Sequence, residues 1–342
     1  MRRKPLIPAL AVLLAVQLLL GLWLWSGGQS MAPARTQLLT FDPSAVDGIE
    51  LSDGKGKSVR LSKHGDQWQL PASFGFPAAG SRVKVLLNTL AHLKPGLAVA
   101  TTTPAASRFH VADKDYKERI RLLAGDRELA VLYLGDAQGP RHSYGRAGHD
   151  STIYPLLFSS YQAEPRLDAW LDKSYLHRAP AKLSAVQLGD LKLTHKGDAW
   201  QLTDLAAGEQ TDAKAAADLV RRLTLMQFMA VQGKADKAPA DKVLLTASLT
   251  FSNGKDGKPR TVAYRFMDPG KGGDPVLWVS DRDYLLRVAS FDFKPLSEMS
   301  RDKLVKSVAV QAPADTSAPS QATGSKTTGT DTQQPPAATT GG

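Results

Sequence analysis

One phrase occurs twice in this chain. LSKHGDQWQL fills residues 61–70 and LTHKGDAWQL residues 193–202, identical at six of ten positions and 132 residues apart. Such a repeat points to an architecture made of two like units. In the first unit, GIELSDGKGKSVRLSKHGDQWQL breaks at Gly- and Asp-rich punctuation into IELS, SVRLS and QWQL. Short segments with partial alternation predict a three-stranded antiparallel meander. The second unit opens LSAVQLGDLKLTHKGDAWQL, where Gly189 and Asp190 make a tighter first turn. Gly65-Asp66 and Gly197-Asp198 make the second turn in both units. Glycine accepts positive φ there, and aspartate bonds to its own backbone. Trp68 and Trp200 follow two residues later and read as plugs of a small core. An aromatic platform for a sugar or base is the functional alternative for the same two rings.

A helix follows each phrase. Val83, Leu86, Leu87, Leu90 and Leu93 keep the spacing of one helical face, and Ala216, Leu219, Val220, Leu223 and Met226 repeat it 133 residues later. The stripe lies outside the repeated phrase, so it supports the duplication independently. Ser81 is the expected N-cap of the first helix, and Thr211 or Asp212 that of the second. Further strands are expected in RIRLLAGDRELAVLYLG and HSYGRAGHDSTIYPL, and in LTASLTFSNGKDGKPRTVAYRFM and PVLWVSDRDYLLRV. The expected fold is α+β: two tandem units, each an antiparallel sheet of meander plus hairpins under one main amphipathic helix. The units take residues 41–176 and 177–311, related by a pseudo-twofold with a cleft or a shared sheet between them. Core positions are Trp68, Trp200, Gly65, Gly197, Leu86, Leu90, Leu219 and Leu223.

Residues 5–25, PLIPALAVLLAVQLLLGLWLW, carry no charge. A helix of that length, rising about 1.5 Å per residue, crosses a hydrocarbon core of about 30 Å. Arg2, Arg3 and Lys4 precede it, and basic flanks stay in the cytoplasm; Trp23 and Trp25 suit the far membrane boundary. A cleaved signal peptide is the competing reading, with small residues at 32–34, but signal cores run about 7–15 residues and this one is longer. The expected location is a bacterial inner membrane, single-pass, with residues 1–4 cytoplasmic and the bulk periplasmic. Residues 26–40 read as a linker. Residues 312–342 have no Leu, Ile, Val or aromatic side chain and read as a disordered tail.

Composition removes some chemistry. The absence of cysteine excludes disulfides, thiolate metal sites and a cysteine nucleophile. The net charge of +10 is scattered, so no nucleic-acid partner is expected. SDGKGKS at residues 52–58 lacks the first glycine of a phosphate loop and lies between two strands. His142 and His149 flank one hairpin without a third ligand, while His64 and His195 read as turn residues. No hydrolase motif is present, so no catalytic, cofactor or metal residues are assigned. A pocket of converging histidine and carboxylate groups is what would reopen the enzyme reading.

Trp68, Leu70 and Pro71, followed by the leucine-rich helix over residues 83–93, resemble the bacterial family labelled domain of unknown function 4340. The later run with Leu134, Gly135, Tyr144, Arg146 and Tyr154 is similar to that family's Leu-Gly, turn, Tyr-x-Arg, turn, strand segment. The second unit lacks the Leu-Gly and Tyr-x-Arg pieces. The resemblance implies an exported, membrane-tethered protein that assists an ABC-type export system of the kind described for gliding motility. It implies membrane-protein partners, namely transporter subunits, and carries no catalytic residues. The expected function is therefore a non-catalytic periplasmic accessory or scaffold protein. The alternative is a binding module for an anionic envelope polymer or lipid.

Overall fold

A computed structural model describes residues 37–307 except 241, 253–257 and 271, together with residues 14, 16 and 17. Arg2, Arg3, Lys4, Trp23, Trp25, most of the apolar segment and the tail from 312 lie outside the described residues. Leu14, Val16 and Gln17 have helical backbone. No helix among the described residues is long and apolar enough to cross a membrane.

The first half builds β1 (Gly48–Asp53), β2 (Ser58–His64), β3 (Gln67–Leu70), β4 (Phe76–Pro77), α1 (Gly80–Ala91), α2 (Thr103–Arg108), β5 (Glu118–Ala124), β6 (Arg127–Ala137), β7 (Ser143–Ala147) and β8 (Tyr154–Leu156). The second builds β9 (Leu183–Leu188), β10 (Leu191–Lys196), β11 (Ala199–Leu202), β12 (Glu209–Thr211), α3 (Ala213–Thr224), β13 (Ala230–Lys234), β14 (Val243–Phe251), β15 (Arg260–Met267), β16 (Val276–Val279), β17 (Tyr284–Arg287), α4 (Ser290–Ser297) and β18 (Val305–Ser307). The fold is α+β, with two eight-stranded antiparallel sheets ordered β4-β3-β2-β1-β5-β6-β7-β8 and β11-β10-β9-β14-β15-β16-β17-β13. β12 pairs with β18 in a separate small sheet.

Local chemistry explains the hairpins. His64 pairs with Gln67 and Lys196 with Ala199, so Gly65-Asp66 and Gly197-Asp198 are two-residue loops. Both glycines sit at φ 59°, and neither aspartate has positive φ. A left-handed first residue alone defines the II′ turn, whose twist suits a hairpin. The helical stripes face inward: Leu86, Leu90, Leu219 and Leu223 are all buried. Asp212 caps α3, accepting from the amides of Lys214 at 2.9 Å and Ala215 at 3.1 Å. Ser81 does not cap α1. Gly80 is already helical and Ala79 stands at the cap. Ala78 bridges to Leu171, and the Ala79 amide donates to the Trp170 carbonyl at 2.9 Å, so the chain is fixed there and the helix starts at once.

Trp68 and Trp200 are half-buried and pack against the rim of the core. Among the described residues the fully buried indole is Trp170, which no repeat marks. Its Nε1 donates to the Glu164 carbonyl at 2.9 Å, and Arg82 lies over its ring. Leu38 and Leu39 are also buried, and the Leu38 amide bonds to the Leu93 carbonyl at 2.8 Å, so the ordered fold begins ahead of residue 41.

One apolar core runs through both halves. At the junction Phe76 meets Tyr175 at 4.8 Å, Tyr284 at 4.9 Å and Phe228 at 5.5 Å between ring centroids. Tyr284 Oη donates to the Gly75 carbonyl at 3.1 Å, and Lys173 Nζ to the Phe228 carbonyl at 2.7 Å. Arg178 grips Asp281 with both Nη atoms, at 2.6 and 2.9 Å. Burial pushes the Asp281 carboxyl up, but Arg178, Arg282 and Arg260 outweigh it and hold it below the usual range. The expected pseudo-twofold is not what joins the halves. A twofold sets like edges together, whereas here β4, at one end of its sheet, meets β17, and the turn at residues 71–73 just before it meets β13, both at the other end of the second sheet. The relation is head to tail.

Candidate functional site

The residues of the Leu-Gly and Tyr-x-Arg run converge on one segment, residues 109–113, over the outer face of the first sheet. The β6–β7 ladder slips between Leu134 and Ala137, at Gly135 and Asp136. A Cβ on Gly135 would stand 1.9 Å from the Phe109 carbonyl oxygen and 2.8 Å from Val111, so only glycine lets the segment lie this close. Tyr144 packs its ring 4.4 Å from that of Phe109. Arg146 is buried beneath. Its Nε donates to the Val111 carbonyl at 2.8 Å, its Nη1 to the carbonyls of Ala147, Gly148 and Asp150, and its Nη2 to Asp113. Its guanidinium lies 4.6 Å from the Tyr133 ring centroid. Ala105, Ala106, Val111, Val131, Tyr133 and Ile153 form a small separate core under α2.

This clamp positions His110, whose φ of 53° is held by bonds on both sides. Its amide reaches the Ser107 carbonyl at 3.1 Å, and its carbonyl accepts from the Lys117 amide at 3.2 Å. The slipped ladder brings Asp136 to His110, with Oδ2 2.9 Å from Nδ1. An ionised carboxylate only accepts, so Nδ1 carries the hydrogen and Nε2 of the neutral ring is an acceptor. Lys117 Nζ lies 3.6 Å from the other Asp136 oxygen.

Beside this pair an open cavity of about 590 Å³ is lined by Asp53, Lys55, Lys57, His110, Asp115, Tyr116, Lys117, Glu118, Glu164 and Arg166. Glu118 stands directly opposite Asp53 across β1 and β5, where like charges oppose each other. Burial, then the charges of Glu164 and Asp53, push its carboxyl up to about 8, and its Oε2 is buried without a hydrogen-bond partner. Near neutral pH Glu118 thus holds a proton, an uncommon state for a surface-cavity glutamate. The lining offers a neutral acid, an imidazole acceptor and several ammonium groups, but no serine or threonine hydroxyl. Histidine and carboxyl groups thus converge on one cavity, the condition that reopens an enzyme reading, and the same set suits recognition of a polar group bearing both donors and acceptors.

Sequence reasoning missed His110, Asp136 and Glu118, which lie on separate segments and meet only through the fold. Gly135, Tyr144 and Arg146 were marked, but as a likeness without a role. The core positions Trp68, Gly65, Leu86 and Leu90 lie outside this cavity, and Trp200, Gly197, Leu219 and Leu223 belong to the other half. No group of three His, Cys, Asp or Glu side chains suited to a metal ion occurs among the described residues.

Fold and site together define an α+β protein of two antiparallel sheets with a loop-walled polar cavity on the first. The chain belongs to the family described as Domain of unknown function (DUF4340), whose model matches residues 68–243. That match starts at Trp68 and ends at the first residue of β14, so it is confined to neither sheet. Neither the curated proteins nor the solved structures give a match to this chain.

Proposed function

We propose that this chain is a non-catalytic accessory protein, exported and tethered to a bacterial inner membrane by residues 5–25, which engages a membrane-protein partner through the first-half cavity. The partner class, subunits of an ABC-type export system, comes from the family resemblance. The observation that carries the reading is the clamp: Gly135, Tyr144 and Arg146 all fasten the segment that walls the cavity. The matching order of seven strands in the two sheets, β3-β2-β1-β5-β6-β7-β8 and β11-β10-β9-β14-β15-β16-β17, the paired II′ hairpins and the matched helical stripes support a duplicated unit. The uncharged N-terminal stretch behind three basic residues supports the tether.

A photo-crosslinking residue at Asp115, in full-length protein in its native membrane, tests this. Adducts with transporter subunits are expected from that position and not from Thr246 on the second sheet. Equal labelling at both positions, or adducts only with soluble proteins, would refute the reading.

A further inference from the structure

A second cavity, of about 510 Å³, opens between the β2–β3 hairpin and α1, beside the 3-10 turn at Pro43–Ala45. Trp68 and Lys63 are cross-strand partners there, and Gly80, Lys84, Leu87 and Asn88 come from α1. Lys84 and Asn88 lie one turn apart on the same helical face. Ser44 is hydrogen-bonded to Asp42, but the basic and amide groups of this groove are unengaged. Among the described residues Lys63 and Lys84 form no ion pair, and neither the Trp68 indole N–H nor the Asn88 side-chain amide makes a hydrogen bond. In the first cavity, by contrast, His110 and Lys117 are both tied to Asp136. The volume is that of a small-molecule site. A half-buried indole with an apolar body and a free N–H, ringed by an amide, two ammonium groups, the Ser44 hydroxyl and the Asp66 carboxylate, matches a sugar ring carrying both hydroxyls and an acid group. None of the large apolar side chains that stand exposed lines this groove, which disfavours an acyl chain.

We propose that the groove binds an acidic oligosaccharide, with one ring against Trp68 and its carboxylate between Lys63 and Lys84. This gives the polymer alternative from the sequence a place, and it stands apart from the partner role of the His110 cavity. The second half lacks the set. Trp200 faces His195 across β10 and β11, with ring centroids 4.9 Å apart, and the residue 133 places after Lys84 is Ala217.

The test is calorimetric titration of full-length protein in detergent micelles at low salt, where charge contacts are least screened. The probes are a uronic-acid hexasaccharide and a neutral hexasaccharide. The uronate is expected to bind at least about tenfold more tightly than the neutral sugar, with Lys84→Gln lowering uronate affinity about tenfold at unchanged melting temperature. Gly80→Leu, whose new side chain would enter open space at the groove, is expected to block binding without removing a charge. Should that variant not fold, Lys84→Gln decides alone. Absence of uronate binding, equal affinity for the two sugars, equal affinity of wild type and Lys84→Gln, or binding only to anionic phospholipid vesicles would each overturn the proposal.

Discussion

On the first sheet Tyr133 of β6 faces Arg146 of β7, and on the second Arg265 of β15 faces Trp278 of β16. Both are cation–aromatic pairs, at 4.6 and 5.7 Å, with the partners exchanged between strands. What surrounds them differs. Arg146 is buried and every donor nitrogen has an acceptor, because α2 and residues 109–113 lie over it. Arg265 is exposed, and the Nε1 of its partner Trp278 is buried without an acceptor. Residues 92–117 link α1 to β5 and carry α2, whereas residues 225–242 link α3 to β14, are shorter and include ADKAPADK. The first sheet thus carries a loop-built cavity, and the second presents a plainer face. The ends differ too. Phe76 on β4, beside β3, is buried in the junction, while Glu209 on β12 is held by Arg301 and the Ala206 amide. That contact keeps the Glu209 carboxyl down at about 2. An aromatic end welds the halves and a charged end faces outward, which disfavours addition of a third unit by the same head-to-tail contact.

The largest effect should come from the welded end. Phe76→Ala removes a fully buried ring that meets three aromatic neighbours and should cost about 3–5 kcal/mol. Chemical denaturation measures it. The loss should appear in probes of both sheets, because one core spans them. A loss confined to the first sheet would mean that the halves fold independently and that the head-to-tail junction is incidental.

Next comes the exchanged pair. Arg146→Met strips acceptor bonds from the carbonyls of Val111, Gly148 and Asp150 and should cost about 2–4 kcal/mol, with faster amide exchange across residues 109–113. Arg265→Met should stay within about 0.5 kcal/mol, as exposed substitutions do. Equal costs would erase the distinction between a clamped and an unclamped face.

The repeated parts of this architecture are the ones readable from sequence. The Gly-Asp turns are legible because a two-residue hairpin needs positive φ at a fixed place. The stripes of α1 and α3 are legible because burial imposes their period. α2 is not legible: TPAASR has no apolar stripe, and its place depends on the missing side chain of Gly135 and on Arg146, both remote in sequence. The His110–Asp136 pair spans 26 residues and forms only because the ladder slips at Gly135. Trp170 escaped because it has no copy in the second unit, although it is more buried than either tryptophan that has one. Local periodicity reveals the hairpins and stripes and is silent on contacts that only the folded chain assembles.

The smallest effect sharpens the comparison most. Counted from the pairs Ile49↔Leu122 and Val186↔Leu249, the place of Glu118 on β5 is taken on β14 by Leu245, a side chain packed against the core. The first half therefore holds an acid where the second holds a leucine. Burial, Glu164 and Asp53 raise the folded carboxyl from 4.5 to about 8. The folded chain keeps a proton that the unfolded chain releases within that window. Its contribution to stability is full below the unfolded value and is lost as pH rises through the folded one. Glu118→Gln keeps the shape and removes the titration. Relative to wild type, the variant should therefore gain on the order of 1–2 kcal/mol between pH 5 and pH 8, an allowance made for partial solvent screening. Denaturation midpoints at a series of pH values measure it. A difference between variant and wild type that is flat across that range would show that Glu118 ionises freely, and the cavity would then present four carboxylates in place of three beside a neutral acid.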